Sequence, residues 1–247
     1  MKSTGHTSDG ADSPHRAFRL RHLTPAYGGA QHYRQWGRHL AALLLVLMVA
    51  GGFAAPPADA AGRPLRLVVL GDSLAAGFRL PGDAAFPVVL EKALRARGYV
   101  IEVANAAVSG DTATGGFERL EWAMGGPADA MILELGANDM LRGLDPEVTR
   151  RSLNSILAQV ALRNVRVLIA GMRASPSLGA DYQSKFDSIY PDLAKKHDAI
   201  LYPFFLEGVA ADPALNLSDG IHPNRAGVER IVAGILPSVE ALIRQAQ

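Results

Sequence analysis

The 247-residue chain contains no cysteine, which removes thiol nucleophiles, cysteine-ligated zinc and disulfide bridges in one step. A lipid anchor on cysteine goes with them. A marked excess of one charge is also lacking, since 25 Lys+Arg face 24 Asp+Glu. Six of those basic residues and three of the acidic ones precede Ala61, so 19 basic and 21 acidic residues follow. The chain from Ala61 is therefore mildly acidic with no basic stripe, and no nucleic-acid partner is expected. Histidine is scarce in the same part. His6, His15, His22, His32 and His39 all precede Ala61, which leaves only His197 and His222. With two histidines, no cysteine and no H-E-x-x-H pattern, neither a zinc site nor a cofactor is expected.

What is present begins with a leader. Arg34 and Arg38 precede an uncharged apolar run from Leu40 to Ala55, which ends in Pro56-Pro57-Ala58-Asp59-Ala60. This is the basic, apolar and small-residue order of a secretory signal, and Ala58-Asp59-Ala60 fits the A-x-A cleavage rule. The reading is an N-terminal extension and signal peptide over residues 1–60, cleavage near Ala60, a single domain over residues 61–247, and a periplasmic or secreted location. The alternative is an uncleaved membrane anchor, because the run falls only slightly short of a span.

From Leu65 onward, short runs rich in Val, Ile and Leu alternate with longer amphipathic stretches, the pattern of a parallel sheet wrapped by helices. Strands are predicted at Leu65 to Leu70, Val100 to Ala104, Ala130 to Leu135, Arg166 to Ala170 and Ile200 to Tyr202. Helices are predicted at Phe86 to Arg97, Gly116 to Met124, Pro146 to Arg163, Tyr182 to His197 and Asn224 to Gln245. The fold class is α/β in three layers. In such folds ligands gather at the carboxyl ends of the strands, so the residues just after each strand are the candidates for chemistry.

Four segments stand there. Gly71-Asp72-Ser73-Leu74 follows the first strand, and a serine at that exit can act as a nucleophile with its own N–H facing an oxyanion. Gly-Asp-Ser is equally common as turn and helix-cap chemistry. Ala75 stands where the G-x-S-x-G elbow of α/β-hydrolases needs glycine, so that motif is excluded. Asn105 to Thr112 follows the second strand and includes Gly110, where backbone can approach a substrate closely. Glu134-Leu135-Gly136-Ala137-Asn138-Asp139 follows the third and offers the Asn138 side-chain amide. Ser218-Asp219-Gly220-Ile221-His222-Pro223-Asn224 precedes the last helix, and Asp219 three residues before His222 can fix the imidazole tautomer. His197 follows Lys195-Lys196 near a helix end, where a solvated cation favourable to the helix dipole is the plainer reading. Asp72, Asp111 and Asp139 could imitate a hard-cation cluster, but hydrogen bonding to loop amides is the expected use.

In order and in neighbours these four segments resemble the GDSL, or SGNH, hydrolases. Ser73, Gly110, Asn138 and His222 match the family's four letters, and Asp219 matches its triad acid. Gly77-Phe78-Arg79, Leu141-Arg142-Gly143 and Asp219 to Asn224 are similar to the branch of multifunctional thioesterases and lysophospholipases and its arylesterase relatives. The resemblance spans nearly the whole chain after Ala60. It implies a flavodoxin-like five-stranded parallel sheet, a Ser73–His222–Asp219 triad, and an oxyanion hole from Ser73, Gly110 and Asn138. It also implies a small acyl ester, thioester or lipid as substrate. Residues 171–182 fall where relatives carry a loop bordering the acyl pocket, with an ordinary connection as the equal alternative. Two other readings stay open: a carbohydrate or peptidoglycan O-acetylesterase, and a catalytically idle binding protein on the same scaffold.

Overall fold

The computed structural model describes residues 63–247. The signal peptide, its cleavage near Ala60 and the location they imply therefore lie outside the described residues.

Five strands form the sheet: β1 (Leu65–Gly71), β2 (Ile101–Asn105), β3 (Ala130–Glu134), β4 (Arg166–Ala170) and β5 (Ile200–Tyr202). β1 from Leu67 onward and all of β3 are buried. Continuous apolar runs of this kind, without alternation, suit strands covered by helices on both faces. All pairings are parallel and the order is β2-β1-β3-β4-β5. This is the flavodoxin-like order, whose topological switch lies between β1 and β3. The register sets Gly71 beside Glu134, so the two central strands end at the same level. The residues that follow them, from Asp72 and from Leu135, open into one crevice.

The helices are α1 (Ser73–Ala76), α2 (Phe86–Ala96), α3 (Ala113–Glu118), α4 (Leu120–Met124), α5 (Ala137–Leu141), α6 (Pro146–Ala161), α7 (Ala180–Asp187), α8 (Ile189–Lys196) and α9 (Arg225–Ala246). α2 packs on α9 over one face of the sheet, and α6 packs on α3, α7 and α8 over the other. A single core of buried Leu, Val, Ile, Met and Phe runs between the layers. None of the described helices is long and apolar enough to cross a membrane.

Most ends shift by a residue or two from the sequence reading and the short α1 and α5 are additional; three differences have a local cause. β2 starts and ends one residue later, because the Val100 carbonyl accepts the Leu65 N–H before the ladder proper begins. The helix expected over Tyr182 to His197 is two helices, broken at Ser188. Pro191 has no N–H to return to the Asp187 carbonyl four residues earlier, so the ladder lapses there. The helix expected from Gly116 starts at Ala113 instead, where the Thr112 hydroxyl caps it by accepting the Gly115 N–H at 3.1 Å. It also breaks at Arg119, whose side chain turns inward to the strand exits.

Candidate active site

α1 begins directly at the end of β1, with Asp72 as its N-cap: the Asp72 Oδ1 accepts the Leu74 N–H at 3.0 Å. Ser73 is the first helical residue, a position whose amide has no partner within the helix. The residue as a whole is 9% exposed. Across the crevice the segment ahead of α9 is shaped by Asp219, whose Oδ1 accepts the N–H groups of both Ile221 and His222 at 3.0 Å. The other carboxylate oxygen lies 3.0 Å from His222 Nδ1. An ionised carboxylate only accepts, so Nδ1 carries the proton and Nε2 is left as a base. Nε2 accepts from the Ser73 hydroxyl at 3.0 Å. Those backbone donors, with the imidazole, hold the Asp219 carboxyl down at about 2. Phe78 lies against the imidazole, ring centres 4.4 Å apart.

The structure thus brings Ser73, His222 and Asp219 into one hydrogen-bonded run across 149 positions of sequence. Asn138, in α5, stands at the same edge, but its amide is occupied. One N–H reaches Asp72 Oδ2 at 3.0 Å and the other the Asp111 carbonyl at 2.9 Å. Gly110 precedes that carbonyl, at φ +86°, a left-handed conformation that a side chain would strain. Its own carbonyl accepts from Arg142 at 2.7 Å.

Beneath the site sit three carboxylates without solvent exposure: Asp72, Glu134 and Asp139. Asp139 accepts from Ala113 N–H and the Thr149 hydroxyl. Glu134 Oε2 accepts the Asp72 N–H, and burial, together with the Asp72 charge, pushes the Glu134 carboxyl well above its ordinary range. Burial likewise raises Asp72 to about 7. Asp72 and Asp139 thus serve loop amides as the sequence suggested. Asp111 does not, because its carboxylate pairs with Arg119 at 2.5 Å. Arg119 also donates to the carbonyls of Ala106 and Gly71, tying the exits of β1 and β2 together. Sequence reasoning missed Arg119, since an arginine within an amphipathic stretch reads as surface.

His197 departs from the solvated cation expected of it. It is partly buried, its Nε2 lies 2.9 Å from Asn154 Oδ1, and desolvation followed by the Lys196 charge holds it below its ordinary value.

A cavity of about 480 Å³ opens beside Ser73, Asn138 and His222. Leu74, Met140, Met172, Phe204, Leu206 and Ile221 give it apolar walls. The 171–182 loop contributes Met172 to Pro176, as its place in the sequence suggested. Gly110 is not part of the cavity wall.

With this geometry in view, residues 69–230 match the family model described as GDSL-like lipase/acylhydrolase. The chain belongs to that family. Over 188 residues it is 40% identical to "Thioesterase 1/protease 1/lysophospholipase L1" of Escherichia coli K12, covering 76% of this chain and 85% of the relative. It is 38% identical over 159 residues to "Arylesterase" of Vibrio mimicus, covering 64% of this chain and 80% of that one. Among solved structures, AlinE4, an SGNH-hydrolase family esterase, superposes with a TM-score of 0.62 at 44% identity, over 73% of this chain and 97% of its own. The protein is a carboxylic ester hydrolase of the GDSL family, and its fold is the three-layer α/β/α arrangement of the SGNH hydrolases.

Proposed function

We propose that this hydrolase cleaves acyl or aryl esters, thioesters or lysophospholipids with an apolar acyl group of several carbons, through a Ser73–His222–Asp219 triad. The observation that carries this reading is the unbroken Asp219–His222–Ser73 hydrogen-bond run opening into an apolar cavity. Ser73 Oγ attacks the acyl carbonyl while its proton passes to His222 Nε2. Collapse of the tetrahedral species expels the alcohol or thiol, which takes that proton from His222. The acyl-enzyme is then opened by water, deprotonated by the same nitrogen, to release the acid and restore Ser73. Asp219 orients the imidazole and stabilises its charged form. The oxyanion is received by the amides of Ser73 and Gly110 and by the Asn138 side chain, one N–H of which then donates both to the oxyanion and to its present acceptor in a three-centre bond.

Residues 61–247 form the hydrolase domain in this reading, behind an export leader that delivers it to the periplasm or beyond. Acyl-CoA, a cytosolic pool, is then a poorer natural substrate than an envelope lipid or ester. Apolar walls of this volume, within the range that holds drug-sized ligands, favour a medium acyl or aryl group over acetyl on sugar. The test is a p-nitrophenyl ester series from acetyl to decanoyl, with Ser73→Ala as the blank. Each buried methylene contributes about 0.8 kcal/mol, so kcat/KM is expected to climb roughly threefold to fourfold per carbon until the cavity fills. A maximum at acetyl overturns the substrate reading. Fluorophosphonate labelling that survives in Ser73→Ala overturns the triad.

A further inference from the structure

Asp72 is a costly residue for the work that its place in the turn requires. As N-cap of α1 it needs one oxygen for the Leu74 N–H, and a serine or asparagine supplies that equally well. A fully buried carboxylate is far more demanding, because it leaves water and must find its compensation inside. Its surroundings add to the cost, because the carboxylates of Asp139 and Asp111 oppose its charge. Capping leaves the second oxygen, Oδ2, without a task.

That oxygen accepts from Asn138 Nδ2 at 3.0 Å, across from the exit of β1 to the exit of β3. The terminal torsion of an asparagine is broad and roughly two-fold, so its amide can turn over and present C=O where N–H₂ is needed. An ionised carboxylate, the form Asp72 takes above about pH 7, only accepts and admits the N–H₂ face alone. A hydroxyl or amide at the same place could donate as well and would tolerate either face. The backbone carbonyl of Asp111 completes the clamp from the exit of β2, at 2.9 Å. We infer that Asp72 is the positioning residue of the oxyanion site, fixing which face of the Asn138 amide meets the reacting carbonyl. The inference rests on the reading of Asn138 as an oxyanion donor.

The experiment is a double-mutant cycle on the full chain, with kcat and KM measured on p-nitrophenyl butyrate at about pH 8.5, where Asp72 is ionised. Asp72→Ser keeps an oxygen for the Leu74 N–H but is too short to reach Asn138. It is expected to lower kcat on the order of tenfold to a hundredfold, the scale of a misplaced catalytic group, with KM within about threefold. Asn138→Ala is expected to fall on the order of a hundredfold to a thousandfold. In the double variant the Asp72 change should add less than about threefold, since groups acting through one another are not additive. Wild-type kcat in Asp72→Ser overturns the proposal, and so does a double variant that falls by the product of the single effects. Wild-type turnover in Asn138→Ala alone removes the oxyanion reading and this proposal with it, a result distinct from the other two. Should Asp72→Ser fail to fold, the isosteric Asp72→Asn runs the same cycle with the same expected outcomes.

Discussion

At the residue scale, charge placement decides the behaviour of the site. Asp219 stays ionised far into acid because two loop amides and the imidazole donate to it. Asp219→Asn can keep both backbone bonds through its carbonyl oxygen, yet its N–H₂ then faces Nδ1 and favours the wrong imidazole tautomer. The expected loss in kcat is on the order of a thousandfold to ten-thousandfold, the scale of the same change in another serine hydrolase, while the melting temperature moves little. A variant retaining a tenth of wild-type turnover would show that Asp219 does not set the tautomer. Asp72 carries the opposite shift, and its sign differs too. Burial lifts its folded value to about 7, above the ordinary aspartate range that applies in the unfolded chain. The folded state therefore binds the proton more tightly, and that stability is full below about pH 4 and lost as pH rises through about 7. Glu134 shifts the same way. Asp219, Asp83 and Asp129 are lowered, so their stabilising share is lost only as pH falls below the ordinary aspartate range. Between about pH 8 and pH 5 the raised pair outweighs the opposing His197, whose lowered value removes stability as pH falls through the ordinary histidine range. The melting temperature of the wild type should climb over that window, and Asp72→Ser should flatten the climb. An unchanged slope in the variant would mean that Asp72 is ionised throughout.

At the scale of elements, the segment bearing Asp219 and His222 is positioned by the first turn of α9. Asn224 caps that helix, its Oδ1 accepting the Gly227 N–H while its Nδ2 donates to the Ala214 carbonyl. Gly227 lies flat against the Leu215 carbonyl, and an added Cβ would collide with that oxygen and approach Pro223 to 3.1 Å. Backbone cannot swing aside as a flexible side chain can. Gly227→Ala should therefore cost about 1–3 kcal/mol in stability, the range for overpacking, and lower kcat by moving His222. Full activity with unchanged melting would show the loop yielding without strain. None of this contact is visible in the letters around Gly227, which sit in an ordinary helical pattern. The elements legible from sequence were those with periodic burial: β1, β3, β4, α6 and α9 are close to their expected spans. Breaks set by a single missing or diverted donor were not. Pro191 could have been read, since it removes an N–H at a known offset. Arg119 could not, because its partners are the Gly71 and Ala106 carbonyls, brought to it only by the pairing of β1 with β2. The candidate site residues stood out as three segments on strand exits and one ahead of α9, and the structure brings Ser73, His222 and Asp219 together. The engaged amide of Asn138 was hidden, because it depends on where the buried Asp72 carboxylate aims.

At the scale of the molecule, the two halves of the proposed triad sit on parts of unequal anchorage. Ser73 follows β1, a central strand paired on both sides by β2 and β3 and covered by helices. His222 and Asp219 lie between β5 and α9, on residues 203–224, which contain no helix or strand of the sheet. Side-chain amides hold that stretch: Asn216 donates to the carbonyls of Val209 and Asp212, and an isolated bridge joins Asn216 to Pro223. Regions with exposed backbone bonds and few buried contacts open at lower free energy than core strands. Hydrogen exchange should report this directly, with amides of β1 and β3 persisting for orders of magnitude longer than those of Gly220, Ile221 and His222. Covalent occupation of Ser73 by a fluorophosphonate adds partners for the imidazole, so it should slow exchange over residues 217–222 and leave β1 and β3 unchanged. Such a result would mean that substrate completes the alignment of the base against a nucleophile already fixed. Equal protection of the His222 segment and β3 before labelling would mean instead that both halves are rigid in the free enzyme, and that the base is held as firmly as the nucleophile.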